Sequence, residues 1–170
     1  VLVVVDNSES MGWAQSRLPP DFVYGLLDTL SKVGASQSDL RIGVVSTDVG
    51  TAPYVASGNC DTSGGDDGRL QRAPGLPRWL SLSPLDQTNV DPEGPVAACA
   101  WHDARRCLAE AFKLQASLGT RGCGYEMPFE AAWRALDPAR GTNPGFLREE
   151  ALLLVLFVTD EDDCSVARPE

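Results

Sequence analysis

The sequence is poor in the residues that the commonest metal and nucleic-acid chemistries need. It holds one histidine, His102, and none of its five cysteines forms a Cys-x-x-Cys pair, which excludes the usual zinc-binding patterns. Lysine occurs only as Lys32 and Lys113, and Arg105-Arg106 is the sole basic doublet, reading as a solvated helix face. With a formal net charge of −10 there is no basic patch to follow a phosphate backbone, so nucleic acid is not an expected partner. No apolar run is long enough to span a bilayer; the longest, Ala151 to Val158, has the length of a strand, and no transmembrane segment is expected. No serine sits in a Gly-x-Ser-x-Gly elbow, so a hydrolase triad built on His102 has no support, and His102 reads as a helix-surface residue. There is no signal peptide and no initiating methionine. The chain opens inside its first strand and reads as a piece of something longer.

What is present suits one globular domain: 170 residues, of which 43% are hydrophobic. Leu2 to Val5 is continuous, branched and apolar, as in a parallel strand covered on both faces. Pro19-Pro20-Asp21 opens a helix with Phe22, Leu26, Leu27, Leu30 and Val33 on one stripe, and Gly34 stops it. Leu40 to Ser46 is a second strand. Residues 50–94 are rich in Gly, Pro, Ser and Asp and form a long insertion, in which only Arg78 to Ser83 resembles a strand. A helix starting at about Val96 or Asp103 runs to Leu118. Pro128 opens another through Leu136, with Phe129, Trp133 and Leu136 expected inward. Leu152 to Val158 is the second strongly buried strand.

This order predicts an α/β fold, a Rossmann-like three-layer α/β/α sandwich with a mostly parallel sheet and one short antiparallel edge strand. Such sheets bind ligands beyond the carboxyl ends of their strands, where strand order reverses. Three strands deliver an aspartate at that end: Asp6, Asp48 and Asp160. If the two most buried strands are neighbours, about 4.8 Å apart, Asp6 and Asp160 stand side by side. Two carboxylates that close are relieved by a proton or by a cation. In extended chain, residues two apart point the same way, so Asp6, Ser8 and Ser10 of VDNSESM offer a carboxylate and two hydroxyls to one point. Oxygen ligands of this kind suit Mg²⁺, Mn²⁺ or Ca²⁺. The same residues also populate strand-to-helix turns by bonding the local backbone, and spacing alone leaves both readings open.

VDNSESM resembles the Asp-x-Ser-x-Ser motif of von Willebrand factor A domains, whose fold is shared with integrin I domains. LGTRG resembles the family's threonine loop, offering Thr120, and LFVTDED its strand-terminal aspartate, offering Asp160. LGTRGCGYE and TDEDDCS are similar to a bacterial, often exported, branch. The resemblance spans nearly the whole chain. It implies a metal-ion-dependent adhesion site in which Ser8, Ser10 and Thr120 touch the metal through hydroxyls. Asp6 and Asp160 would act mainly through water or by hydrogen-bonding those hydroxyls. It implies a protein partner with an exposed Asp or Glu, captured through the cation, and no catalysis. The alternative is a module of a cell-envelope protein that the metal merely stabilises. An Mg²⁺-dependent aspartate phosphotransferase fits less well, because Ser8 stands where its second aspartate belongs. The chain departs from the family in Glu161, where a glycine is usual, and in the acids Asp162 and Asp163 that follow. Asp48, Glu161 and Asp162 are therefore candidate accessory acids. The family fold continues after Asp160, so its C-terminal part is expected to be missing.

The same resemblance brings the loops of Cys123 and Cys164 together and implies a disulfide between them. Cys99 and Cys107 would lie about 12 Å apart on one helix, too far to bridge. Either could pair with Cys60. Disulfides, with the exported branch, point to an extracytoplasmic setting: periplasm, cell surface or secreted, including as part of a lipoprotein. The acidic run containing Asp61, Asp66 and Asp67 lacks EF-hand spacing and reads as a solvated turn.

Overall fold

The structure is a computed structural model, described here for residues 1–17, 20–34, 39–53, 58–60, 64–82 and 104–165. Four strands form one sheet in the order β3-β2-β1-β4: β1 Leu2–Val5, β2 Arg41–Ser46, β3 Trp79–Ser81 and β4 Val155–Val158. β1 runs parallel to both β2 and β4, and β3 pairs antiparallel with β2. The expected α/β class, parallel sheet and short antiparallel strand are all present.

Because successive strand residues face opposite sides, β1 feeds two cores. Val3 and Val5 face α2 (Pro20–Lys32) and α3 (Ala104–Ala116), meeting Val23, Leu27, Leu108 and Phe112. Leu2 and Val4 face α4 (Pro128–Leu136), meeting Ala131, Ala132, Ala135 and Phe146. Helices thus cover both faces of the sheet, and every β1 side chain is at most 1% exposed. Each contributes roughly 1.5–3 kcal/mol by leaving water.

Three helix and strand faces differ from expectation. In α2 the most deeply buried pair is Val23 and Leu27, and Val33 lies beyond the helix, 73% exposed. In α4, Phe129 and Trp133 point outward while Ala131, Ala132 and Ala135 face the sheet. Small side chains let the helix lie close to the glycine-rich insertion. A Cβ on Gly68 would stand 2.7 Å from that of Arg134, and Gly68 has φ +69°. β4 is shorter than predicted and only half-buried, being the outermost strand on its side among the described residues; Leu152 is 91% exposed.

The described parts of the insertion are fastened to the sheet. Asp66 and Asp67 donate backbone N–H groups to the Asp48 carbonyl, and Leu70 and Leu76 enter the cores. Asp67 is an ion-pair hub: Arg134 and Arg140 reach its Oδ1 at 2.7 and 2.8 Å. Burial would raise its pKa, but the hydrogen bonds and charges of these two arginines outweigh it and hold the carboxyl below its usual value. The expected solvated turn is thus a structural anchor. Asp61, Cys99, Trp101, His102 and the proposed helix start at Val96 lie outside the described residues.

Candidate metal centre

Strand order reverses between β1 and β4, and the candidate residues gather at that switch point. One residue past the β1–β4 register, Asp6 meets Thr159, whose hydroxyl donates to Asp6 Oδ2 at 2.8 Å. The other oxygen, Oδ1, accepts the Ser8 backbone N–H at 2.8 Å. Asp6 is fully buried, and both its oxygens hold the loop in shape. It is therefore Thr159, and not Asp160, that stands directly beside Asp6.

Asp160 joins the site through the serines. Ser8 Oγ lies 3.0 Å from Ser10 Oγ, and Ser10 Oγ donates to Asp160 Oδ1 at 3.1 Å. Two hydroxyls and a carboxylate from opposite ends of the chain thus form one line of oxygens. It runs from buried Ser8 to exposed Asp160.

The Thr120 loop reaches the same place by other contacts. Gln15, on the short helix α1 (Gly12–Gln15), donates from Nε2 to the carbonyls of Asp6 and Gly119 and accepts the Gly119 N–H. The Thr120 methyl lies 3.1 Å from where a Cβ on Gly12 would be. Gly122 donates its N–H to the Asn7 carbonyl at 2.8 Å, and a Cβ there would meet Asn7 Oδ1 at 2.1 Å. The loop packs on the Asp-x-Ser-x-Ser segment because position 122 has no side chain.

The accessory acids divide. Asp48 accepts N–H groups from Gly50 and Cys123, so it ties loops together. Glu161 and Asp162 are exposed at the rim. Asp163 accepts the Phe129 N–H at 3.0 Å, and Ser165 Oγ accepts that of Glu130. Together they satisfy the start of α4, which has no side-chain cap of its own.

The cysteine pairing is corrected. Cys123 bonds Cys60, and Cys164 is a free thiol, as is Cys107. Cys123 is turned inward at the insertion, where Asp48 also holds it, while Cys164 donates its N–H to the Glu126 carbonyl. Burial, then the charges of Glu126 and the neighbouring acids, pushes the Cys164 thiol above its usual pKa. The pairing of Cys60 with Cys99 or Cys107 is likewise replaced.

Buried residues beside the centre that were not anticipated from the sequence include Gln15 and Glu126, 6% and 1% exposed. Glu126 lies in the stretch LGTRGCGYE, but an acid in a polar loop carries no mark of burial. Its carboxyl is pushed above the usual range, first by burial and then by the charges of Asp6 and Glu161. Its own backbone N–H and the Ser8 hydroxyl act in the opposite sense. Among the described residues four buried side-chain oxygens have no partner: Gln115 Oε1, away from this site, and Asn7 Oδ1, Thr47 Oγ1 and Glu126 Oε2 at this end of the sheet. The hydroxyls of Ser8 and Ser10, the Asp160 carboxylate and the unpaired Glu126 oxygen are donors of the kind a hard divalent cation takes.

Comparison with protein-family models, with curated proteins and with solved structures returns no match.

Proposed function

We propose that this domain binds a divalent cation, Mg²⁺ or its relatives Mn²⁺ and Ca²⁺, at the carboxyl end of its sheet. The cation then holds an acidic group of a partner protein. Ser8, Ser10 and Thr120 would hold the ion through hydroxyls, with Asp6 and Asp160 orienting them. The observation that carries this reading is the line Ser8–Ser10–Asp160, backed by a buried Asp6 whose two oxygens are already engaged. The bound ion would supply an electrophilic position open to a carboxylate. Neutral hydroxyls around it leave its charge largely uncompensated, which is what an acidic ligand requires.

A phosphotransferase is disfavoured because both Asp6 oxygens are occupied by hydrogen bonds from within the chain. Among the described residues no helix is long and apolar enough to cross a membrane, and the Cys60–Cys123 link is weakly consistent with an extracytoplasmic location. We propose that the domain belongs to a bacterial exported protein, in the periplasm, at the cell surface or secreted, including as part of a lipoprotein.

The test is calorimetric titration of Mg²⁺, Mn²⁺ and Ca²⁺ into chelator-treated protein, beside Ser8→Ala/Ser10→Ala. One saturable site lost in the double variant is expected. Binding of a Glu- or Asp-bearing peptide only with the metal present would separate adhesion from metal-dependent stabilisation. A folded wild type that binds no cation would end this reading.

A further inference from the structure

Glu126 borders the candidate centre, its carboxyl accepting from the Ser8 hydroxyl. Its carbonyl accepts the Cys164 N–H at 2.8 Å, and the next residue, Met127, donates its N–H to the Thr47 carbonyl at 3.2 Å. The backbone is thereby pinned between the loop after β4 and the end of β2. The side chain is 1% exposed, it lies beside the Ser8 hydroxyl, and its Oε2 has no partner. Among the charges that act on it are those of Asp6 and Glu161, both negative. The arginine of the adjoining helix and the one just beyond it are engaged elsewhere, Arg134 with Glu130 and Asp67, and Arg140 with Asp67. A carboxylate in such a place is costly unless a positive charge joins it.

We infer that Glu126 is a further charged member of the cation site, a carboxylate beside the Ser8 hydroxyl that would touch the ion directly, where Asp6 and Asp160 act through the hydroxyls. The inference rests on the cation reading proposed above and deepens it. The cation supplies the partner that Glu126 Oε2 lacks, and in doing so locks the Cys164 loop and the start of α4 to the sheet. With Glu126 as the one carboxylate touching the ion, a divalent cation still carries a net positive charge for an acidic ligand.

The experiment compares wild type, Glu126→Gln and Ser8→Ala/Ser10→Ala by calorimetric titration of Ca²⁺ and Mg²⁺ and by thermal melts with and without metal. Glu126→Gln is expected to bind the cation about ten- to hundredfold more weakly. Without metal it should melt no lower than wild type, since an amide replaces an unpaired carboxylate. Equal affinity in Glu126→Gln, with binding lost in the serine variant, would overturn this inference and leave the proposed function standing. A lower metal-free melting temperature with an unchanged gain on adding metal would mark a purely structural residue and also overturn it. No binding by folded wild type would overturn both. If the glutamine variant does not fold, Glu126→Ala carries the same comparisons.

Discussion

Cys60→Ala/Cys123→Ala tests whether the insertion is fastened as described. The link closes 63 residues of sequence, including the whole segment whose described parts fold against Asp48, Leu70 and Leu76. Loop-closure entropy for that length amounts to about 4 kcal/mol of stability. In a domain of this size that is a fall in melting temperature of roughly 10 °C. The site should suffer less than the fold. The Cys123 loop is still held by Gly122 N–H to Asn7 O, Cys123 N–H to Asp48 Oδ2 and Met127 N–H to Thr47 O. Urea unfolding gives the stability, and calorimetric titration of Mg²⁺ gives the affinity. We expect several kcal/mol lost from the first and a change in the second smaller than the about ten- to hundredfold that losing a direct support of a metal ligand costs. Stability within about 1 kcal/mol of wild type would show that the link does not constrain the chain.

Gly122→Ala places a methyl 2.1 Å from Asn7 Oδ1, and it is expected to weaken cation binding by displacing the Asp-x-Ser-x-Ser loop, as titration would show. Asp67→Asn is expected to destabilise the protein at neutral pH, read by urea unfolding across pH. Because the folded pKa of Asp67 is lowered, its contribution is fully present above the ordinary carboxylate value of about 3.9 and is lost as pH falls through the lower folded value. The gap between wild type and variant should therefore close in acid. The margin formed by β4 and the apolar stretch before it, with Phe157 41% and Leu152 91% exposed, is expected to drive self-association, and Leu152→Lys should reduce it in light scattering.

The elements with a single strong signal were legible. Leu2 to Val5 reads as a central parallel strand because nothing in it is polar, and it is one. The apolar run 151–158 gave the neighbouring strand but overstated its burial, because hydrophobicity does not say whether a strand lies inside a sheet or at its margin. In α4, ranking residues by bulk placed Phe129 and Trp133 inward. The helix instead uses alanines to approach the sheet, and it turns Arg134 in toward Asp67, a partner 67 residues away in sequence. That pairing, like Cys60 with Cys123, depends on where the insertion folds, and spacing carries no trace of it. Within the centre, Asp6, Ser8, Ser10 and Asp160 were legible as a pattern and are linked by hydrogen bonds. Gln15 and Glu126 became visible only with burial.

Asp6 and Asp48 look equivalent in the sequence, each ending a parallel strand, yet the structure gives them different tasks. Asp6 receives one backbone N–H and one hydroxyl. In Asp6→Asn the amide oxygen can still accept the Ser8 N–H, and the Thr159 hydroxyl can rotate to accept the new N–H. The loop should keep its shape while one buried negative charge disappears. Asp48 receives two backbone N–H groups, from Gly50 and Cys123, neither of which can rotate. Asp48→Asn must set an N–H against an N–H at one of them, at a cost of about 1–3 kcal/mol. Asp6→Asn should therefore lower cation affinity about ten- to hundredfold with little loss of metal-free stability. Asp48→Asn should lower stability with little loss of affinity. Titration and urea unfolding of the two variants side by side test this. The reverse pattern would mean that Asp48, and not Asp6, is the aspartate that serves the cation.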